Sequence, residues 1–524
     1  MAAVDYVIVG AGSAGCVLAG RLSEDPKVHV ALLEAGGPDD GREIHIPAAF
    51  SKLFKSPLDW NYATQPQEHL HGRALYWPRG KVIGGSSSIN AMIYIRGNAA
   101  DYNTWEAQGN PGWSFGEVLR YFLKSEDQAR GRSELHGVGG PLRVEDLRTV
   151  NPLSRAFVEA AVAAGLPANS DFNGPRQDGA GIYQVTQKRG RRCSAADAFL
   201  HPARGRSNLT VVSHAHATQI VLEENRATGI EYVSNGQEYT VRAEREVILC
   251  GGAVNSPQLL MLSGIGPAEH LEQHGIAAVL DLPGVGENLQ DHLFLPVAFE
   301  SKRAVSLANA ESIGSVLNYM LFRRGMLTSC VAEAGGFLRT RPDLAAPNLQ
   351  YHFGPVYYLK HGFERPEGHG FSIGPTLLRP ASRGRIRLRS SFPMDPPLIE
   401  PNYLSHESEV DTLAFGIELA RRIAGARAFD RYRGKELLPG AGATSRADIA
   451  AYIRNAVETV YHPVGTCKMG RDSMAVVDSS LRVRGIEGLR VADASVMPHV
   501  PSGNTNAPTF MIAEKAADMI RRGN

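Results

Sequence analysis

DYVIVGAGSAGCVLAGRLSEDPKVHVALLE, residues 5–34, reads as strand, glycine turn, helix and second strand. Tyr6 to Val9 is a nearly continuous apolar run, the pattern of a parallel strand covered on both faces. It stops at glycine. Gly10, Gly12 and Gly15 have the G-x-G-x-x-G spacing. The first glycine permits a tight turn, the second lets backbone approach a pyrophosphate, and the third lets the helix pack on the strand. The helix that follows, opening over Ser13 and Ala14, points its N–H groups at that phosphate. The second strand, Val28 to Leu33, ends in Glu34 and Ala35. A carboxylate at Glu34 can accept from ribose hydroxyls and repels a 2′-phosphate, which disfavours NADP. Glycine turns before helices also occur without a ligand; the flanking strands and the acidic residue are what make this a dinucleotide site. On its own the stretch does not separate FAD from NAD.

The 524 residues correspond to about three domains, or fewer around a large α/β core. Lys and Arg (55) nearly balance Asp and Glu (54), and no long single-sign block occurs. Neither nucleic acid nor an anionic membrane is indicated as a partner. Five scattered cysteines without a C-x-x-C pair argue against a disulfide framework or zinc knuckle and fit a reducing compartment. The apolar start lacks the basic flank of a signal peptide, the first basic residue being Arg21. No run of about 18 apolar residues exists. The expectation is a soluble cytoplasmic protein with no integral membrane segment.

From Ala35 to Pro78 the chain is rich in Gly, Pro, Asp and His, a long excursion in which Trp60 and Tyr62 either line a pocket or pack. RGKVIGGSSSINAMIYIRG, Arg79 to Gly97, follows. Its small residues from Gly84 to Ser88 allow backbone to lie against a flat ligand, and Asn90 supplies a directed amide. Arg245 to Leu249 ends another strand and runs through Gly251 and Gly252 into an apolar helix, a second strand–glycine–helix unit. Alternating Arg385, Arg387 and Arg389 suggest a strand with a solvated face, and Lys188, Arg189, Arg191 and Arg192 read as solvated too. His270 and His274 sit four apart but lack the H-E-x-x-H pattern, and His214 and His216 lack a third ligand, so no metal is expected.

Several long motifs follow in one order: GAGSAG with Glu34, the stretch Arg79 to Gly97, GAVNSPQLLMLSGIG from Gly252, PGVGENLQDH from Pro283 to His292, YHPVGTCKMG from Tyr461, and GLRVADASVMP from Gly488. Together they resemble the glucose-methanol-choline (GMC) flavoprotein oxidoreductases nearly end to end, and among them the choline-dehydrogenase-like and alcohol-dehydrogenase (acceptor) branch. The resemblance implies an α/β fold with a Rossmann-like FAD-binding domain assembled from residues 1–150, 195–292 and 456–524. It also implies a substrate-binding domain of antiparallel sheet plus helices from residues 151–194 and 293–455. The cofactor site it implies comprises Gly10, Gly12, Ser13, Ala14, Gly15, Glu34, Ala35, Arg79, Gly84, Gly85, Ser88, Asn90, Ala91, Ala217, Asp493, Ala494, Thr505 and Asn506. Where some members carry a histidine that attaches FAD covalently, this chain has Ile89, so the expected cofactor is non-covalent FAD.

His462 lies in YHPVGT, where the proline breaks any helix and a short loop can hold the imidazole; the segment alone leaves structural and catalytic roles open. SGNTNAPTFMIAEKAADMI predicts a helix from about Thr509 with Pro508 near its first position. Its positive end would stabilise charge at the flavin N1 and C2 carbonyl region. The resemblance implies that His462 and Asn504 face the reactive edge of the flavin, with Asn506 the neighbour two residues away. The expected reaction is oxidation of a primary alcohol to an aldehyde, with hydride passing to flavin N5, His462 as base, and oxygen or a quinone or dye-like molecule as electron acceptor. The rivals are a hydroxynitrile-lyase-like acid/base enzyme with FAD as scaffold, a choline dehydrogenase or oxidase proper, and a nucleotide-binding regulatory protein.

Overall fold

Val4–Val9 (β1) is buried along its length from Tyr6, with a strand on each side of it and a helix packed against it. The structure is a computed structural model describing residues 3–364 and 366–523. β1 is followed by helix α1 (Ser13–Leu22) and strand β2 (Val30–Leu33). Much later in the chain come β3 (Leu209–Val212), β4 (His216–Glu223), β5 (Arg226–Ser234), β6 (Gln237–Leu249), α2 (Gly252–Leu262), β7 (Leu489–Val491) and α3 (Asn506–Arg521). The sheet runs β3-β2-β1-β6, with β7 on the other side of β6, all parallel, so that Val7 lies opposite both Ala31 and Val247. β6 is long enough to serve two sheets: its first half pairs antiparallel with β5, which pairs with β4.

The glycine turn closes as its spacing requires. Gly10 has φ +96°, and a Cβ there would lie 2.6 Å from the Cys250 carbonyl oxygen. A Cβ on Gly15 would lie 1.9 Å from the Gly10 carbonyl oxygen, so α1 can approach β1 this closely only with glycine. Gly12 differs: a Cβ there would meet only the Gly85 Cα, at 4.0 Å.

α3 packs along α1, and the buried Glu514 carboxylate on α3 receives Arg21 of α1 at 2.6 Å and Lys124 at 2.8 Å. Removing one member of such a buried group leaves an uncompensated charge, so the geometry of the two helices is held jointly.

The second sheet has eight strands. Its main path is Arg433–Leu438, Val297–Ser301, Gly370–Leu377, Leu349–Gly354, Ala334–Leu338 and Gly179–Ile182, each antiparallel to the next. Leu293–Phe294 pairs with both Gly370–Leu377 and Glu458–Thr459. Strand alternation sorts the two faces. Tyr351 and Phe353 point to the covering helices, where Tyr351 donates to the Gly416 carbonyl at 2.7 Å and Phe353 stacks on Phe157. His352 and Gly354 point the other way, into the space between the sheets.

The arginine strand is shorter than its alternation suggested, Arg385–Arg387, and Arg385 and Arg387 are ion-paired with Glu400 and Glu287. His214 lies outside β4 with φ +53°, over Gly37.

The two inner glycines make opposite stability predictions. Gly15→Ala cannot be accommodated by rotating a side chain, and it should lower the thermal midpoint of the ligand-free protein markedly or prevent soluble folding. Gly12→Ala should stay within ~0.5 kcal/mol of the parent. Equal losses measured by thermal unfolding would contradict this assignment.

Candidate active site

A single elongated cavity runs between the two sheets from Glu34 to His462. At one end Glu34, buried at the tip of β2, accepts from the Ala11 N–H (2.8 Å) and the Gly36 N–H (2.8 Å). Burial nevertheless pushes its carboxyl up to about 7. Ala35, Ala217 and Trp60 complete this end. Of the two early aromatics only Trp60 lines the cavity; Tyr62 stacks behind it and accepts from Asn255 at 2.7 Å.

Gly12, Ser13 and Ala14 form the next stretch of wall together with Gly10 and Gly85. Because protein leaves the Cβ position of Gly12 open, the room there is on the cavity side, where a backbone-hugging ligand fits. Three residues expected at the cofactor do not line the cavity. Gly15 lies under α1 against Gly10. Gly84 donates its N–H to the Ala11 carbonyl at 2.7 Å, and a Cβ on it would strike Ser88 Oγ at 2.1 Å. Ser88 Oγ itself donates to the Ile83 carbonyl at 2.8 Å. These three shape the loop from behind, because a tight turn needs its polar groups for its own closure. Asn90 and Ala91 do line the cavity, Asn90 Oδ1 accepting from the Met92 N–H and from Arg192.

Asp493 and Ala494 form the wall beside the start of α2. The Asp493 carboxylate is fully engaged: one oxygen accepts from Gly252 N–H and Ser256 Oγ, the other from Ser495 N–H and Oγ. α3 begins at Asn506, three residues before its expected start, and places Pro508 in its first turn. First-turn N–H groups have no partner within the helix, so proline is tolerated there. Ser13 Oγ donates to Asn506 Oδ1 at 2.7 Å, tying the start of α3 to the start of α1. Thr505 and Asn506 line the cavity, and the positive ends of both helices open onto it.

At the far end are His462, Asn504 and Arg79. The His462 N–H of the backbone donates to Asp291 Oδ1 at 2.7 Å, while the other Asp291 oxygen accepts from Tyr403 and Thr459. The ring protons follow from a chain of contacts. His292 Nε2 faces the Leu378 carbonyl oxygen at 3.0 Å, which only accepts, so this nitrogen carries the proton. Burial drives His292 down to about 3, so the ring is neutral and its Nδ1 is a lone pair. That Nδ1 lies 3.0 Å from His462 Nδ1, which must therefore be the donor. His462 is itself held well below the usual imidazole range by burial and by the neighbouring His292, His352 and Arg79. Its Nε2 is thus left as a lone pair, 3.2 Å from the Asn504 amide nitrogen. Asn504 Oδ1 is buried and has no hydrogen-bond partner among the described residues. Arg79 donates to the carbonyls of Pro78 and Tyr461, both at 2.6 Å.

The walls around His462 are mainly aromatic and aliphatic: Phe50, Phe54, Phe294, Val331, Tyr358 and Tyr461. Among the cavity-lining residues the only carboxylates are Glu34 and Asp493. Asp291, His292 and His352 were not singled out from the sequence, although Asp291 and His292 close the quoted PGVGENLQDH stretch. The contacts of Asp291 and His292 with His462 span about 170 positions of sequence.

Among the described residues one group has ligand atoms close enough for a metal, Asp39, Asp197 and His201. His201 lies between the two carboxylates, which raise it to about 9, so a protonated imidazole accounts for the group. His270 and His274 both engage the backbone of Leu388.

Matches to known proteins cover this architecture. The GMC oxidoreductase family models match residues 4–294 and 380–513. The chain is 49% identical to an alcohol dehydrogenase [acceptor] of Pseudomonas putida over 99% of this chain and 96% of that one. It is 46% identical to the mitochondrial choline dehydrogenase of Homo sapiens, over 98% and 89%. A crystal structure of pyridoxine 4-oxidase from Mesorbium loti superposes with TM-score 0.91 at 35% identity, covering 99% of both chains. The matched segments carry the glycine turn, His462 and the start of α3, and on that basis, together with the relatives matched end to end, the chain belongs to the GMC oxidoreductase family.

Proposed function

We propose that this protein oxidises a neutral primary alcohol to an aldehyde with non-covalently bound FAD. The observation that carries the reading is the unprotonated His462 Nε2 beside Asn504 at the apolar end of a cavity whose other end is built for a dinucleotide. Bound FAD supplies the acceptor for the hydride that leaves the alcohol carbon.

Glu34 would hold the ribose hydroxyls, the Gly12 to Ala14 turn the pyrophosphate, and the opening turn of α3 the pyrimidine edge of the ring system. An alcohol proton is held too tightly to leave at neutral pH without a base. His462 Nε2 takes that proton as the carbon–hydrogen bond breaks. Asn504 orients the hydroxyl, its amide N–H facing the oxygen that gains charge. The aromatic and aliphatic walls hold the remainder of the substrate and exclude water.

Support for a neutral substrate over choline comes from charge. A quaternary ammonium would gain from aromatic faces and a counter-charge, but the buried Glu333 carboxylate accepts from Asn151, Ser154 and Ser329 and does not line the cavity. Near His462 the aromatic wall is uncharged, with Tyr358 and Tyr461 in hydroxyl contact. Ile89 offers no nucleophile for covalent attachment. The cycle needs an electron acceptor, oxygen or a quinone or dye-like molecule. Five buried free thiols support a cytoplasmic setting.

His462→Ala should retain FAD and lose about 10²–10⁴-fold in the rate of anaerobic flavin reduction by an alcohol. Asn504→Ala should slow the same step, while Asn506→Ala mainly weakens flavin retention by freeing the start of α3 from Ser13. Near-parental reduction by His462→Ala removes the base assignment. Absence of flavin reduction by every alcohol in a broad panel would instead favour a redox-silent, lyase-like enzyme.

The protonation state gives a pH prediction. Because His462 is held below its ordinary value of 6.5, the base is already free at neutral pH. The anaerobic reduction rate should be flat from neutral to alkaline pH and fall only as pH drops below 6.5. A half-maximal rate above neutrality in stopped-flow reduction would be inconsistent with this.

A further inference from the structure

The helix Ile313–Phe322 is apolar almost throughout, yet only Tyr319 of its ten residues is buried. Ile313 is 81% exposed, Leu321 71%, Met320 65%, Phe322 64% and Leu317 52%. At 3.6 residues per turn, Val316, Met320, Ile313, Leu317 and Leu321 form one continuous stripe, with Tyr319 on the opposite, inward side. An apolar surface of this kind on an otherwise polar exterior marks a docking site.

The charges beside the stripe define what it docks on. Gly190 approaches the helix end so closely that a Cβ on it would lie 2.6 Å from the Arg323 carbonyl oxygen and 3.1 Å from Arg148 Cδ. The hairpin carrying Lys188, Arg189 and Arg191 therefore abuts Arg323, Arg324 and Arg148. None of these six basic groups is within ion-pair distance of a described carboxylate. The one acidic residue at the helix start, Glu311, is met by Lys52 at 3.1 Å. The near-zero net charge of the chain conceals this local excess; Lys188, Arg189 and Arg191 are exposed as the solvated reading expects, whereas Arg192 is buried against the cavity loop. An apolar stripe flanked by unpaired Lys and Arg is the signature of a helix lying in an anionic membrane interface. A second copy of the chain fits poorly, because a two-fold contact through this patch would bring its own basic cluster near itself. Among the described residues no helix is long and apolar enough to cross a membrane, so contact is with the surface.

The position of the helix adds a functional consequence. Val316, Tyr319, Met320 and Arg323 border a groove whose inner wall includes Phe50, Val331 and Tyr358. Those three residues also line the active cavity. We infer that the helix Ile313–Phe322 and the adjoining basic cluster dock this protein on an anionic lipid bilayer, with the mouth of the active-site groove at the membrane surface. The docking does not rest on the alcohol-oxidation reading.

The test is sedimentation of the FAD-loaded protein with phosphatidylcholine vesicles that contain or lack phosphatidylglycerol. Binding to the anionic vesicles, weakened by salt, is expected. The variant L317S/L321S/F322S should partition at least about tenfold less, since three apolar side chains no longer leave water. The variant R189E/R324E should lose the preference for anionic lipid. Both should keep the parental rate with a water-soluble acceptor in vesicle-free buffer, which shows that they fold. The inference is overturned if the parent does not sediment with anionic vesicles, if both variants bind as the parent does, or if the patch instead holds a dimer that L317S/L321S/F322S dissolves.

Discussion

The hydrogen bond from His292 Nε2 to the Leu378 carbonyl decides which nitrogen of His462 is free, and the second sheet is what makes that bond. Leu293 lies opposite both Leu377 and Thr459 across three neighbouring strands. That register places Leu378, His292 and the loop carrying His462 side by side at the sheet edge. Asp291 then secures the loop, accepting from the His462 backbone and from Thr459 and Tyr403. A backbone carbonyl cannot donate and cannot change its protonation, so it is a fixed reference for the two imidazoles beyond it. Burial keeps both rings neutral. The His462 Nε2 lone pair is therefore set by sheet register, without help from a carboxylate on the ring.

The nucleotide half works by convergence. α1 and α3 come from opposite ends of the chain, yet Ser13 and Asn506 join their first residues, and Arg21 and Glu514 join their bodies. Two positive helix ends then open on one cavity, an arrangement that favours an anionic group between them. Glu34 closes the end of the cavity opposite His462, its carboxylate accepting from the Ala11 and Gly36 N–H groups.

The legible parts of this site were those whose chemistry is local. The apolar run before Gly10 and the glycine spacing are properties of one short segment, and they located β1, α1 and the cavity wall. The resemblance in motif order led to His462 and Asn504, which the fold brings within 3.2 Å of each other. The illegible parts depend on distant pairing. Nothing near His292 in sequence shows that its ring will meet His462, since that contact arises from β-register between segments 170 residues apart. Gly15, Gly84 and Ser88 belong to the motifs but turn inward, because sequence reports that a loop is tight without saying which of its atoms face the ligand. The start of α3 was read three residues late because a proline in the first turn looks, in sequence, like a helix beginning at that proline.

15N NMR of the imidazoles in the FAD-loaded protein at neutral pH reads the proton arrangement at the two histidines directly. The predicted spectrum has His462 neutral with its proton on Nδ1 and a lone-pair shift at Nε2, and His292 neutral with its proton on Nε2. A proton on His462 Nε2, or a doubly protonated His462 ring, would contradict it.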